Sequence, residues 1–256
     1  MQGSRREHPQ LLPLWLLACC CVFAASAARA DDVTAVAAAC PGFAAWEQQQ
    51  AAADLAVEQS GSVGTDWRLR AQLLGMAVED QDAREAAFAS PGHQDTGALD
   101  RVAAVDARNL SALQEIIAVG GIPSAQSVGR RGVSALWVLV QHADADAQLQ
   151  QQVLKALTGD PGIAQDQIAA LTDRLRIHQG QPQRYGTQFR TSGDTLVPDS
   201  IEDEAHVDGR RRQMGLPPLA DYTCALRATY KLAPAGAQVG PPAGNGLRPA
   251  TPLPGK

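Results

Sequence analysis

Residues 99–117 read LDRVAAVDARNLSALQEII. Leu99, Val102, Leu110, Leu113, Ile116 and Ile117 recur at three- and four-residue intervals, which is the repeat of one face of an α-helix. Thr96 can cap this segment and Gly120-Gly121 stops it. Two residues interrupt the stripe. Asp106 and Asn109 stand where the spacing calls for apolar side chains.

The segment before it behaves in the same way. Thr65-Asp66 can cap a helix from Trp67 to about residue 90, with Trp67, Leu74, Ala77, Val78 and Phe88 on its apolar stripe. Gln81 and Arg84 break that stripe. A buried amide or charge costs several kcal/mol unless it is hydrogen-bonded or paired. The two helices are therefore expected to face each other, with Arg84 against Asp106. Such a cluster fits a network that fixes helix register, and it fits a ligand site.

Further along, Val133 to Ala143 is apolar on almost every side, which marks a central buried helix. It ends in Gln141-His142-Ala143-Asp144-Ala145-Asp146. Asp144 or Asp146 can open the next helix, with Leu149, Val153 and Leu157 on its stripe. Asp160-Pro161 resembles a helix start, and Ile168, Leu171 and Leu175 form the stripe of that helix up to Gly180. From Gln183 to Arg190 the rhythm alternates, and Ser192-Gly193-Asp194 is a turn. A β-hairpin near residues 183–197 is expected, with Tyr185 and Gln188 on its first strand. Asp173-Arg174 lies off the apolar stripe of the preceding helix. The pair suits a solvated face, and Arg174 is also able to reach the hairpin. Ser200 with Asp203 resembles a capping box for a helix through Met214, and Pro217-Pro218 opens a last helix to about Tyr230. The fold class expected is mainly α, a single helical domain with one small β-hairpin.

Both ends differ from this middle. Arg5 and Arg6 precede an apolar run from Leu11 to Ala28, and Ala28-Arg29-Ala30 offers small residues where a signal peptidase reads. That order reads as a signal peptide over residues 1–30. The run is short for a membrane span, so no stable membrane insertion is expected after cleavage. A lipoprotein anchor at Cys19 fits less well, because the apolar run continues past it. Residues 31–64 read as an N-terminal helical segment and 65–231 as the core domain. Residues 232–256 form a Pro-, Gly- and Ala-rich tail with too little apolar area to order itself. The expected location is periplasmic or extracellular. Loss of the leader leaves Cys40 and Cys224, which an oxidising compartment allows to pair and which otherwise remain buried thiols.

The chain carries a formal charge of −5, and removal of the leader, with three arginines and one glutamate, takes it to −7. An acidic surface excludes nucleic acid as a default partner. No nucleophile elbow, phosphate loop, dinucleotide fingerprint or zinc spacing is present. No cofactor and no metal are expected, since His93, His142, His178 and His206 share no ligand spacing. The residues suited to chemistry are His142 as an acid–base group, oriented by Asp106 or Asp173. Those suited to ligand binding are Gln81, Arg84, Asn109, Gln141, Arg174, Tyr185 and Gln188.

Asp80-Gln81 with Arg84, Asp106 with Asn109, Gly129, Gln141-His142-Ala143-Asp144, Leu171-Thr172-Asp173-Arg174, Gln183 with Tyr185-Gly186-Thr187-Gln188, and Gly215-Leu216-Pro217-Pro218-Leu219 occur in this order. The ordered set resembles an uncharacterised bacterial domain family without an assigned function, matching from about Trp67 to Tyr222. The chain departs from it at Ile122-Pro123, where the family carries a tryptophan before the proline, and at Gly209, where it carries an acidic residue. The resemblance implies a shared fold and polar cluster and supplies no reaction. The function expected is a binding or interaction module of the cell envelope for a polar small molecule, a peptide or an envelope protein. The alternative is a hydrolase.

The leader reading is checked by the intact mass of the exported protein. A mature chain starting at Asp31 is expected; a lipid-modified Cys19 terminus or an uncleaved chain would overturn it.

Overall fold

The computed structural model describes residues 27–60, 64–88, 96–192 and 195–229. The expected leader up to residue 26, the turn at residues 193–194 and the expected tail lie outside these. The elements described are α1 (Ala27–Ala39), α2 (Pro41–Ser60), α3 (Trp67–Phe88), α4 (Thr96–Gly120), α5 (Ala125–Gln141), α6 (Ala147–Leu157), α7 (Gln165–His178), β1 (Phe189–Ser192), β2 (Thr195–Pro198), a 3-10 turn (Glu204–His206), α8 (Val207–Gln213) and α9 (Leu219–Thr229). The fold is mainly α with one antiparallel hairpin, in which Phe189 pairs with Pro198 and Ser192 with Thr195.

Helix α5 is the centre. Val133, Leu136, Trp137, Leu139 and Val140 are all buried, and from Gly132 to Gln141 only Ser134 is not fully buried. Leu73 of α3, Leu113 of α4, Val153 of α6 and Leu171 of α7 close around it. Each side chain of this size contributes about 1.5–3 kcal/mol on full burial. The start of α5 is tied to the start of α3. The Thr65 and Asp66 N–H groups donate to the carbonyls of Gln126 and Ser127, while the Asp66 carboxylate caps α3 at Leu69 N. Gly64 makes this approach possible. Its φ is +82°, and a Cβ there would lie 2.5 Å from Gly129 N.

Three local expectations shift. Helix α7 starts at Gln165, not at Asp160-Pro161. The Asp160 carboxylate instead accepts from Gly162 N at 2.7 Å and Ala125 N at 3.1 Å, so it closes a turn and fixes the start of α5. The first hairpin strand begins at Phe189, because residues 183–188 are folded around side chains of α7 and make only an isolated bridge at Gln183. Ser200-Asp203 forms no capping box; Asp203 takes a left-handed conformation with φ 45° and bonds His206.

The two ends of the described chain meet. Helix α9 packs between the hairpin, through Leu226 against Phe189 and Leu196, and α1–α2, through Ala225 against Cys40 and Phe43. Helix α1 begins at Ala27 and runs across the Ala30–Asp31 junction. A disulfide joins Cys40 to Cys224 across 184 residues of sequence. Trp46 Nε1 and Gln50 Nε2 both donate to the Gly215 carbonyl at the end of α8.

A cross-link of that span restricts the unfolded chain most. Replacing Cys40 and Cys224 by serine is expected to lower the unfolding free energy by about 2–5 kcal/mol, measured by urea unfolding. An unchanged midpoint under reducing conditions would show that the link adds no stability.

Candidate functional site

The buried face of α3 is not the one that Leu74, Gln81 and Phe88 outline. It runs through Leu73, Asp80, Arg84 and Ala87, one residue out of phase. Asp80 is therefore sealed at 1 % exposure, beneath Arg84 at 7 %. On α4, Asn109 is buried and Asp106 lies at the margin. Helix α5 delivers the third component: His142 is its C-cap residue and is 4 % exposed.

These groups make one network. Arg84 Nη2 donates to Asp106, as Arg84 against Asp106 is expected to, and lies 3.5 Å from Asp80 Oδ1; Arg84 Nε lies 3.4 Å from Asp80 Oδ2. Gln81 Nε2 donates to Asp80 Oδ2 at 2.8 Å. His142 Nδ1 is 2.8 and 3.0 Å from the two Asp80 oxygens and 3.0 Å from Arg84 Nε. A carboxylate and an imidazole lone pair repel at 2.8 Å, so a proton must lie between them. We assign it to Nδ1, which makes His142 the donor, and Arg84 Nε then serves Asp80.

The electrostatics agree with this. Burial, followed by Arg84 and Arg174, holds His142 down to about 4 against the pull of Asp80, so the ring is neutral at pH 7. Burial pushes the Asp80 carboxyl up, but His142, Arg84 and Gln81 outweigh it and hold it below the usual range. Burial holds Asp106 above its ordinary value even beside Arg84.

A second pair adjoins the first, since His142-Ala143-Asp144 brings Asp144 to the same edge. Arg174 places its fork on Asp144, with Nε 2.7 Å from Oδ1. Gln150 adds a bond at 3.2 Å, and His178 lies 3.8 Å away. Asp144 is held below the usual carboxylate range: burial raises it, and Arg174 and His178 more than offset that. The Asp106 and Asp144 side chains are 28 % and 45 % exposed above arginines at 8 % and 9 %.

Asp80, Asp106 and His142 each bring one ligand atom within 4.8 Å of the others, a spacing that suits a metal ion. Arg84 already donates to both carboxylates, so the cation held by these residues is a guanidinium. The sequence hides this trio, because its members come from three helices.

Other expected members lie elsewhere. Asp173 does not orient His142. It is buried beneath residues 184–187, where its carboxylate accepts from the N–H groups of Arg184, Tyr185 and Thr187 and from the Thr187 hydroxyl. Burial raises its pKa despite these donors. Arg174 is buried too, not solvated, and places its fork on Asp144. Gln141 turns toward α7, where its amide oxygen accepts from Leu171 N. Gln188 is tied to Gln183 and to the Ala170 carbonyl, and Tyr185 is half-buried. Helical spacing missed Asp80, which entered only through the family's motif set, and Arg211. Fully buried Arg211 donates to the carbonyls of Tyr185, Gly186 and Pro217 and lies over the Tyr222 ring at 5.0 Å. A separate cavity of about 210 Å³ lies between α4 and α6, lined by Gln114, Ile117, Asp146, Leu149 and Gln152 among others.

Residues 67–234 match a family of unknown function, DUF6624, and the chain belongs to that family. No curated protein and no solved structure matches it.

The neutral, buried His142 makes stability depend on pH. Between about 4 and the ordinary 6.5 the unfolded chain holds a proton on this histidine that the folded chain does not. The contribution of this histidine to stability therefore falls as pH drops through that window, by up to about 3 kcal/mol, against smaller opposite contributions from the raised Asp106 and Asp173 carboxyls. Urea unfolding at pH 7 and pH 4.5 is expected to show that loss, and His142→Asn to remove most of it. An equal loss in both proteins would place the acid sensitivity elsewhere.

Proposed function

We propose that this domain is an exported binding module of the cell envelope that recognises a polar ligand at the edge formed by Asp106 and Asp144. The observation that carries the reading is the contrast in exposure. Asp106 and Asp144 reach solvent at 28 % and 45 %, while the arginines that hold them are 8 % and 9 % exposed. Side chains fixed in this way lose little freedom on binding, which raises affinity without adding area. The His142 ring, 2 % exposed, supports the site from beneath instead of meeting the ligand. Export is supported by the leader pattern and by the Cys40–Cys224 disulfide. No helix among the described residues is long and apolar enough to cross a membrane.

A hydrolase is the second reading. It is favoured by the Asp80–His142 bond, in which a carboxylate fixes the tautomer of an imidazole as in acid–base dyads. Asp80 then takes the orienting role expected of Asp106 or Asp173.

The test is a thermal-shift screen of metabolites and cell-wall fragments on the mature chain, with product analysis of each responding compound. Asp106→Asn and Asp144→Asn leave a sealed arginine facing an amide, so they are expected to lower the melting temperature while the chain stays folded, and to lose at least about tenfold in affinity at a temperature where both variants are folded. A ligand response untouched by both substitutions would overturn the binding edge. Turnover that vanishes in His142→Asn would establish the hydrolase instead.

A further inference from the structure

A cluster with two buried arginines invites an anionic ligand, yet both guanidinium forks are already engaged. Arg84 serves Asp80 and Asp106, and Arg174 serves Asp144. What reaches solvent is carboxylate oxygen, at Asp106 and Asp144. In charge, Asp80, Asp106 and Asp144 exceed Arg84 and Arg174 by one, and His142 adds none. The edge is therefore acceptor-rich, and beyond the two arginines only the His178 ring, 3.8 Å from Asp144, stands against its carboxylates among the ion pairs of the described residues.

One donor completes the edge. Asn109 lies one turn after Asp106 on α4, is 5 % exposed, and its Nδ2 has no hydrogen-bond partner among the described residues. Residues three apart on a helix lie side by side. A buried amide N–H without a partner costs about 1–3 kcal/mol, so native proteins rarely keep one without water, an ion or a ligand to meet it. Asn109 thus holds an unmet N–H one helical turn after Asp106, on the buried side of α4.

We infer that the site takes a small ligand bearing a primary ammonium next to an oxygen acceptor. The ammonium meets the carboxylates of Asp106 and Asp144, and the oxygen meets Asn109 Nδ2. Amino acids and amino sugars share this chemistry. The inference rests on the binding edge described above and names the ligand class for it.

Isothermal titration of the mature, disulfide-bonded chain tests it with glucosamine and alanine, their N-acetylated forms, and inorganic phosphate. The acetylated forms keep the oxygen and lose the charge. At least one free amine is expected to bind at millimolar concentration or below, at least about tenfold more tightly than its acetylated form, and Asp106→Asn to abolish that preference. Which amine binds separates the sugar source from the amino-acid source. Asn109→Leu is expected to weaken the amine while leaving the ratio between the free and acetylated forms near its parental value. Equal binding of free and acetylated forms, or no binding of either amine up to about 10 mM, would overturn the inference. Binding of phosphate alone that still depends on Asp106 and Asp144 would overturn the ligand class and leave the binding edge standing.

Discussion

A helix with apolar side chains on every face is satisfied only by complete enclosure. The part of α5 from Gly132 onward is that element, and α3, α4, α6 and α7 cover it. Its length then decides where the chemistry lies. The apolar run ends at Val140; Gln141 turns toward α7, and His142 and Asp144 emerge at one end of the bundle where α3, α4 and α7 already converge. Asp80, Arg84, Asp106 and Arg174 on those helices find their partners there, whereas Asp173 finds its own in the turn after α7.

The resulting network is expensive to desolvate and is arranged so that each member offsets another. Asp80 sits at the bottom and receives Gln81, His142 and Arg84. Arg84 links it to the half-exposed Asp106. Ion pairs of this kind seldom add net stability over an apolar replacement, whereas removal of one member strands the rest. Two half-exposed carboxylates standing above two sealed arginines are the feature on which the proposed binding edge rests.

A second constraint shapes the region after α7. Residues 184–187 form a turn whose N–H groups converge on Asp173 and whose carbonyls are held by Arg211. The two charges lie on opposite sides of one stretch of backbone, so the peptide dipoles between them are aligned by both. Main-chain polar groups that would otherwise seek a strand partner are satisfied inside the turn. Hence the hairpin is shorter than the alternation of residues 183–190 suggests.

Much of this was legible in the sequence. Helical spacing, glycine stops and the apolar run around Trp137 determined the order of the helices, because burial and backbone hydrogen bonding act locally and leave a periodic trace. The pairing of Arg84 with Asp106 was implied by interrupted stripes, since a buried charge demands a partner. The phase of α3 was not. Leu73 and Leu74 are both apolar, so either could lead the inward face, and only the contact with α5 chose Leu73 and sealed Asp80 beneath Arg84. Asp173 could not be separated from Arg174 by spacing either; their opposite duties, one to a turn and one to Asp144, come from elements distant in sequence. The chain alone determined which residues had to find partners, and the tertiary structure decided which partners they found, because desolvation is set by local sequence and its compensation by neighbours that only folding brings together.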